Sequence, residues 1–465
     1  MNTLDLTNIG SDTICAVSTP SGRGGIAVIR VSGPQALDIV QRCWQGKPLA
    51  DMASHTVHLG NVVDDSGEVL DQAVLTVFKA PNSFTGEDVV ELACHGSTWI
   101  QQQVIQTLID AGCRHATAGE FTRRAFANGR MDLSQAEAVA DVIEAQSRAA
   151  HHVAMNQMRG RYSDELRVLR EKLLHFVSLI ELELDFSEED VTFADRGEVT
   201  ALARDIHTLI SRLADSYRDG NAIRNGLPVA IVGQTNAGKS TLLNALLGDD
   251  RALVSNIHGT TRDTIEDTVI MGGTLFRFID TAGIRQSSDA VERMGIERSW
   301  QAIDKANIVL WVVDVTSADT SMARDIIKRC EGKRLIAILN KTDLDDDVAA
   351  RSELNDILPQ GTPVVAISAK SEKDIESLRS LIVENASLPD VDSDAVIVTN
   401  ARHYQALTRA RDAITRAIAG LENGLTGDLL DQDIRECLHW LGEITGEITT
   451  DNILSEIFTH FCIGK

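Results

Sequence analysis

The stretch Gly233-Gln234-Thr235-Asn236-Ala237-Gly238-Lys239-Ser240 is where residue types and spacing most directly imply chemistry. It follows the apolar run Val229 to Val232 and leads into Thr241 to Leu247, so it fits GxxxxGK[ST] between a strand and a helix. Glycines in such a loop let backbone N–H groups wrap phosphates. Lys239 reaches the terminal phosphates and the Ser240 hydroxyl ligates Mg²⁺. An idle Gly-rich turn has the same composition, so the motif needs support from elsewhere in the chain.

Four further stretches supply it. In Asp280-Thr281-Ala282-Gly283 the carboxylate can hold the Mg²⁺ shell and the Gly283 N–H can sense a γ-phosphate. Asn340-Lys341-Thr342-Asp343 ends a strand-like run, and the Asp343 carboxylate accepts both donors of guanine's Watson–Crick edge, a pairing adenine cannot make. Ser368-Ala369-Lys370 offers a backbone N–H to the guanine carbonyl, and Gly259-Thr260-Thr261-Arg262-Asp263 offers Thr261 as a second Mg²⁺ hydroxyl. Together the five resemble the motif set of a GTPase. The expected nucleotide contacts are Asn236, Ala237, Gly238, Lys239, Ser240, Thr241, Ser255, Thr260, Thr261, Asp280, Thr281, Ala282, Gly283, Asn340, Lys341, Asp343, Ser368, Ala369 and Lys370.

The expected catalytic groups are Lys239, Asn236 and Glu292. Many regulatory GTPases place a water-orienting Gln after the Asp-x-x-Gly turn, but here that position is Ile284, which cannot hydrogen-bond water. Asn236 can ligate a monovalent cation beside the phosphates, in the electrostatic place of an arginine finger; loop hydrogen bonding is its other reading. Glu292 can swing in as an acid/base or water-orienting group, or be a solvated glutamate at a helix start.

The elements that must position these residues alternate: Val229–Val232, Phe276–Ile279, Ile308–Val313, Leu335–Leu339 and Val364–Ile367 read as strands between helices, a mostly parallel sheet covered on its faces. Upstream, Ile26–Val31, Ala73–Phe78 and Val89–Cys94 read as strands and Gln101–Ala111 as a helix, an α+β block. Leu166, Leu169, Leu173, Phe176, Ile180 and Leu184 form one helical apolar stripe, which needs another helix. Helical texture returns after residue 393 at Leu407, Ile414, Ile418 and Leu421, then at Leu430, Ile434, Leu438 and Leu441. The fold class is thus multidomain: an α+β N-terminal domain at 1–120, a helical bundle domain at 121–222 and 387–465, and a doubly wound α/β P-loop GTPase domain inserted at 223–386. Two separate helical domains are the alternative.

A chain of 465 residues with 43% hydrophobic and 24% charged residues is ordinary globular material, and at about 150 residues per domain it suggests three domains. Residues 1–10 lack a basic region followed by an apolar stretch and no run of about 18 apolar residues appears, so neither secretion nor membrane spanning is expected, and the seven scattered cysteines fit neither a disulfide framework nor a zinc site. A cytoplasmic location is expected. The net charge of −24 argues against a large nucleic-acid surface. Arg159, Arg161, Arg167, Arg170 and Lys172 are either a local exception or a solvated helix face.

Beyond the GTPase block, the chain resembles the tRNA-modifying GTPase family MnmE, also called TrmE. The likeness rests on Gly22–Arg30, on Pro81-Asn82-Ser83-Phe84-Thr85-Gly86-Glu87-Asp88, on Gly119-Glu120-Phe121-Thr122 with Asn128–Leu133, and on the terminal Phe461-Cys462-Ile463-Gly464-Lys465. Read without the family, Ser21–Gly25 is a tight turn and Phe461–Lys465 a frayed tail.

The resemblance implies a homodimerising N-terminal domain that binds a tetrahydrofolate one-carbon donor, 5-formyl or 5,10-methylene, through Arg30, Glu91, Arg130 and Lys465. It implies K⁺ held by Asn236, Ser255, Thr260 and the backbone of Ile257. Cys462 falls beside the implied folate pocket, as a reactive thiol or a bland neighbour. It further implies a heterotetramer with the FAD-containing partner MnmG, which holds most of the tRNA, and addition of an aminomethyl or carboxymethylaminomethyl group to C5 of wobble uridine. The chain departs from the pattern at Gln234-Thr235 (usually Arg-Pro), Ser255 (Thr), Ser97 (Gly), Ala118 (Pro) and Arg130 (Lys). A ribosome-assembly type of GTPase switch, without transfer chemistry, would use the same nucleotide motifs.

Overall fold

The computed structural model describes residues 11–185, 196–248, 267–279, 292–317, 319–386, 395–423, 425, 427–459 and 461–464, with the backbone alone at 181–185, 196, 198, 292–296, 298 and 427–429. Its chain falls into two compact units. One comprises 1–143, 156–210 and 406–465; the other comprises 144–155 and 211–405.

The first unit contains a seven-stranded sheet of β1 (Ile14–Val17), β2 (Ile26–Ser32), β3 (Trp44–Gln45), β4 (Thr56–Val63), β5 (Val69–Phe78), β6 (Val89–His95) and β7 (Arg114–His115), in the order β3-β4-β5-β6-β2-β1-β7. Every pairing is antiparallel except β1 with β7. Alternation along β2 and β5 sends Ala27, Ile29, Val31, Ala73, Leu75 and Val77 into one core. The helix Thr98–Asp110 closes that core with Val104 and Leu108. Short helices at Ala36–Arg42 and Glu120–Ala127 complete the block; both lack the long periodic pattern that marks a helix in sequence.

The stripe Leu166, Leu169, Leu173, Phe176 and Ile180 is buried along the helix Arg161–Asp185. The helix it needs is Gly427–Thr445, which packs against it and buries Leu430, Ile434, Cys437 and Leu441. The helix Asp451–Thr459 then brings the chain back to the N-terminal block. Leu454, Phe458 and Phe461 share a core with Leu133 and Ala136.

The second unit holds a six-stranded sheet of β8 (Leu227–Gly233), β9 (Asp267–Met271), β10 (Thr274–Phe278), β11 (Ile308–Asp314), β12 (Arg334–Asn340) and β13 (Val364–Ile367), ordered β13-β12-β11-β8-β10-β9. All pairs are parallel but the edge pair β9–β10. The run Ile308–Val313 is buried throughout because alternate residues face two different cores. Leu310 and Val312 join Leu242, Leu246, Leu378 and Ile382 on one face; Val309, Trp311 and Val313 join Ile303, Ile326 and Leu354 on the other. Helices therefore cover both faces of the sheet, as the alternating texture predicts. Among the described residues no helix is long and apolar enough to cross a membrane, and no cluster of His, Cys, Asp and Glu could hold a metal.

Candidate functional site

In doubly wound sheets, ligands bind beyond the carboxyl ends of the strands. At that end of β8 the chain turns through Gln234–Gly238 and enters the helix Lys239–Leu247. Gly238 caps this helix with φ 95°, and a Cβ there would lie 2.2 Å from Asn340 Nδ2, so only glycine lets the two loops meet. Asn236 also has positive φ, at 65°, a conformation Asn tolerates better than most residues. Backbone geometry thus accounts for part of its presence, while its exposed side chain stands at the loop surface.

Lys239 Nζ donates to Gly233 O at 2.8 Å and to Gln234 O at 2.6 Å. Burial lowers its pKa, and it has no carboxylate partner among the described residues. An ammonium desolvated without a counter-charge favours an incoming anion such as a phosphate. Ser240 is exposed on the first turn of the helix, where a hydroxyl can join a Mg²⁺ shell.

Asn340 ends β12 and is 1% exposed. Its Nδ2 donates to Ala237 O at 2.8 Å and its Oδ1 accepts from the Ala369 N–H at 3.0 Å. One buried amide thereby ties the phosphate loop, the Asn340–Asp343 loop and the Ser368–Lys370 loop together. Asp343 Oδ1 accepts from Ser368 Oγ at 2.8 Å, and its Oδ2 lies 3.5 Å from Lys370 Nζ. The Ser368 hydroxyl foremost, with Lys370 helping, holds the Asp343 carboxyl below its ordinary pKa. It is therefore an acceptor at neutral pH, as reading a pair of donors demands.

Two residues of this region carried no signal in a motif search. Asp374 Oδ2 accepts from the Ser368 N–H at 2.9 Å and fixes the third loop. Asp314, the last residue of β11, lies 2.5 Å from Lys341 Nζ through Oδ2. An acidic residue closing the strand beside Asn340 was the available clue, since register sets Asp314 opposite Asn340.

Ser255, Ile257, Thr260, Thr261, Asp280, Thr281, Ala282 and Gly283 lie outside the described residues, as does Lys465. Glu292 opens the helix Glu292–Lys305, and its side chain is likewise outside them. Of the nucleotide contacts expected from sequence, the structure brings together those on the first, third and fourth loops.

In the first unit, register places Arg30 of β2 opposite Glu91 of β6, and the two form an ion pair at 2.8 and 2.9 Å. Arg30 also lies over the rings of Phe84, at 5.2 Å, and Phe121, at 5.6 Å. Phe84 belongs to the loop 81–88, which is anchored by Asn128 Nδ2 donating to Thr85 O at 2.8 Å and Ser32 Oγ donating to Glu87 at 2.6 Å. Arg130 packs its side chain at Gly86: a Cβ on that glycine would meet Arg130 Cγ at 3.2 Å. Arg30, Glu91 and Arg130 therefore lie on or against elements that share the 81–88 loop.

Ile463 and Gly464 are docked, not frayed. Ile463 bridges to Ala118, and Gly464 O accepts from Ser18 Oγ at 3.0 Å. Gly464 has φ 98°, and a Cβ there would fall 2.1 Å from Val17 O. Register in turn pairs Ala16 of β1 with Arg30, so the tail comes home to the strand beside the Arg30 site. Cys462 is exposed; the other six cysteines are buried, and burial pushes Cys43, Cys94 and Cys330 up to about 11.

Beneath the loop 81–88 sits a buried charge network. Glu120, 2% exposed, accepts from Arg114 at 2.5 and 3.1 Å, from Arg124 at 3.2 Å and from the Thr117 N–H at 2.8 Å. Arg124 in turn reaches Glu87 at 3.1 Å and Asp12 at 2.6 Å. Burial alone would raise the Glu120 carboxyl, but Arg114 and the Thr117 N–H outweigh it and bring it to about 2.

Residues 13–130 match the family of the GTP-binding protein TrmE N-terminus, and residues 133–462 match the MnmE helical domain. The tRNA modification GTPase MnmE of Bacteroides thetaiotaomicron is 52% identical over 98% of this chain and 100% of its own length. Those of Parabacteroides distasonis and Cytophaga hutchinsonii are 53% and 48% identical, over 97% and 100% of this chain and the whole of their own lengths. With likeness of this extent over nearly the whole length, the chain belongs to the MnmE (TrmE) family of tRNA modification GTPases.

Proposed function

We propose that the protein hydrolyses GTP in a K⁺-dependent cycle and, with the FAD-containing MnmG, adds an aminomethyl or carboxymethylaminomethyl group to C5 of wobble uridine in tRNA, using a tetrahydrofolate carbon. Its GTPase role in tRNA modification follows from family membership. The observation that carries the nucleotide reading is Asn340, whose amide locks three loops into one site.

Asp343 reads the guanine edge, and a backbone N–H of the Ser368–Lys370 loop meets its carbonyl, the Ala369 N–H being held by Asn340 Oδ1. Lys239 and the backbone of Asn236–Gly238 hold the phosphates at the helix N-terminus. Mg²⁺, when bound by Ser240 and Thr261 with Asp280 behind them, neutralises charge developing on the phosphates. K⁺ would be held by Asn236, Ser255, Thr260 and the Ile257 carbonyl. Lys239 keeps its proton toward the terminal phosphate, and Glu292 orients water or moves a proton where Ile284 cannot.

In the N-terminal block Arg30 and Arg130, with Lys465, meet the folate carboxylates, and Glu91 accepts from the pterin ring. The half-buried Phe84 ring beside Arg30 suits an aromatic ligand, while Phe121 is buried in the core beneath it. Cys462 is a neighbour of this pocket. The domain division is proposed as 1–120, 121–222 with 387–465, and 223–386, working as a homodimer in the cytoplasm.

Nucleoside mass spectrometry of bulk tRNA tests the whole reading. Cells lacking the protein should lose C5-substituted wobble uridine, regained with wild type and not with Asp280→Ala; an unchanged profile refutes it. Hydrolysis should be much faster in KCl than in NaCl, and Asn236→Ala should erase the difference. Equal rates in both salts sink the K⁺ assignment.

A further inference from the structure

Lys341 follows the buried Asn340 with φ 72°, a left-handed conformation unfavourable for a lysine. No glycine relieves the turn; side-chain contacts must hold it. Asn340 is held by Ala237 and Ala369, and Asp343 by Ser368 and Lys370. Between them, Lys341 has one charged partner among the described residues, Asp314, at 2.5 Å and with both side chains largely covered.

Asp314 is itself fixed. Its Oδ1 accepts from the Thr316 N–H at 3.0 Å and from Thr316 Oγ1 at 2.8 Å, leaving Oδ2 for Lys341. The Val315 N–H donates to Asn340 O at 3.1 Å, so the end of β11 and the base-reading loop are joined by backbone as well. Burial would raise the Asp314 carboxyl, but Lys341 and Thr316 prevail and lower it. It is therefore an ionised, oriented anchor belonging to none of the nucleotide motifs.

We propose that Asp314 is a positioning residue for guanine-nucleotide binding: by holding the Lys341 ammonium at the end of β11, it lays the four-carbon stem of Lys341 along the pocket between Asn340 and Asp343 as a wall for the purine. It touches no nucleotide and acts through Lys341. This rests on the guanine-nucleotide reading of the same three loops.

The experiment is a double-mutant cycle on the full-length protein, read by fluorescent GDP binding, with thermal unfolding measured for every variant. Asp314→Asn keeps shape and removes charge; it should weaken GDP by about 10-fold, the size of one charge-assisted contact, and raise KM for GTP with kcat little changed. In a Lys341→Met background the same substitution should change affinity by less than about twofold, because the partner is gone. Asp314→Glu should rescue most of the binding.

Equal losses in both backgrounds, or no loss in either, overturn the proposal. If Asp314→Asn does not fold, Lys341→Met breaks the contact from the other side, and GDP affinity equal to wild type overturns it. If wild-type protein fails to bind GDP at all, the guanine reading itself falls, which is a separate outcome.

Discussion

The nucleotide loops and the Arg30 site are assembled by opposite means. Each loop of the former leaves the end of one strand of a parallel sheet, and within each loop the working residues are a few positions apart: Asn236 to Ser240, Asn340 to Asp343, Ser368 to Lys370. Their mutual placement follows from strand register plus one bridging amide, Asn340. The latter combines β2, β6, the loop 81–88, the helix Glu120–Ala127 and a tail whose contact with Ser18 spans 446 residues. Local sequence can specify the first arrangement; only the folded chain specifies the second.

The difference is sharpest under substitution. Removing Lys239 should strike the nucleotide site alone: Lys239→Ala leaves the phosphate loop without its cation, and hydrolysis should fall by about 10² to 10³, the scale of losing one preorganised electrostatic group. Phosphate release assays measure this. The N-terminal site shares no side chain with Lys239, so its folate affinity, read by titration, should stay within about twofold. A parallel loss of folate binding would break the contrast between the two sites.

The converse test is at Glu120. Its carboxyl, depressed from 4.5 to about 2, corresponds to about 3 kcal/mol of stability linked to ionisation. Because the folded pKa lies below the unfolded one, this stability is present above pH ~4.5 and fades as pH falls toward about 2. Glu120→Gln should lower the urea midpoint of the first unit's transition at pH 7, and the gap to wild type should narrow on acidification. It should leave GDP affinity unaltered. A gap independent of pH would assign the loss to packing and not to charge.

This asymmetry also sets how much could be read in advance. The strands at 229–232, 308–313 and 335–339 were legible because apolar runs buried on both faces of a parallel sheet leave an unbroken signature, and the edge strand 364–367 because its run is apolar though only Ile367 is fully buried. The stripe from Leu166 to Ile180 was legible because 3.6-residue periodicity needs only one helix to declare it. Helix Glu120–Ala127 was not, since Glu120 and Arg124 are buried charges that break the apolar pattern. Their partners Asp12 and Glu87 are remote in sequence, and Arg114, six residues before Glu120, lies outside the helix. Asp314 was invisible for a related reason: its partner Lys341 belongs to a motif, but a lone aspartate at a strand end has no spacing to betray it. In the Arg30 site, the family likeness pointed to Arg30 and Glu91, and register places the two opposite each other on neighbouring strands.

The smallest effect expected is also the most discriminating, because it acts across the greatest sequence distance. Gly464 has φ 98° and no room for a Cβ, which would lie 2.1 Å from Val17 O. Gly464→Ala must either strain the backbone by about 1–3 kcal/mol or lift the tail off β1. Lifting the tail frees Ser18 Oγ and moves Gly464 away from the strand that pairs with Arg30. Tetrahydrofolate affinity should drop by about 10-fold, which falls in the lower half of that strain range. Hydrolysis of GTP, measured without folate, should stay within about twofold of wild type. Full folate affinity in Gly464→Ala would mean that the docked tail is a structural seam of the first unit, and the pocket would then be bounded by Arg30, Glu91, Phe84 and Arg130 alone.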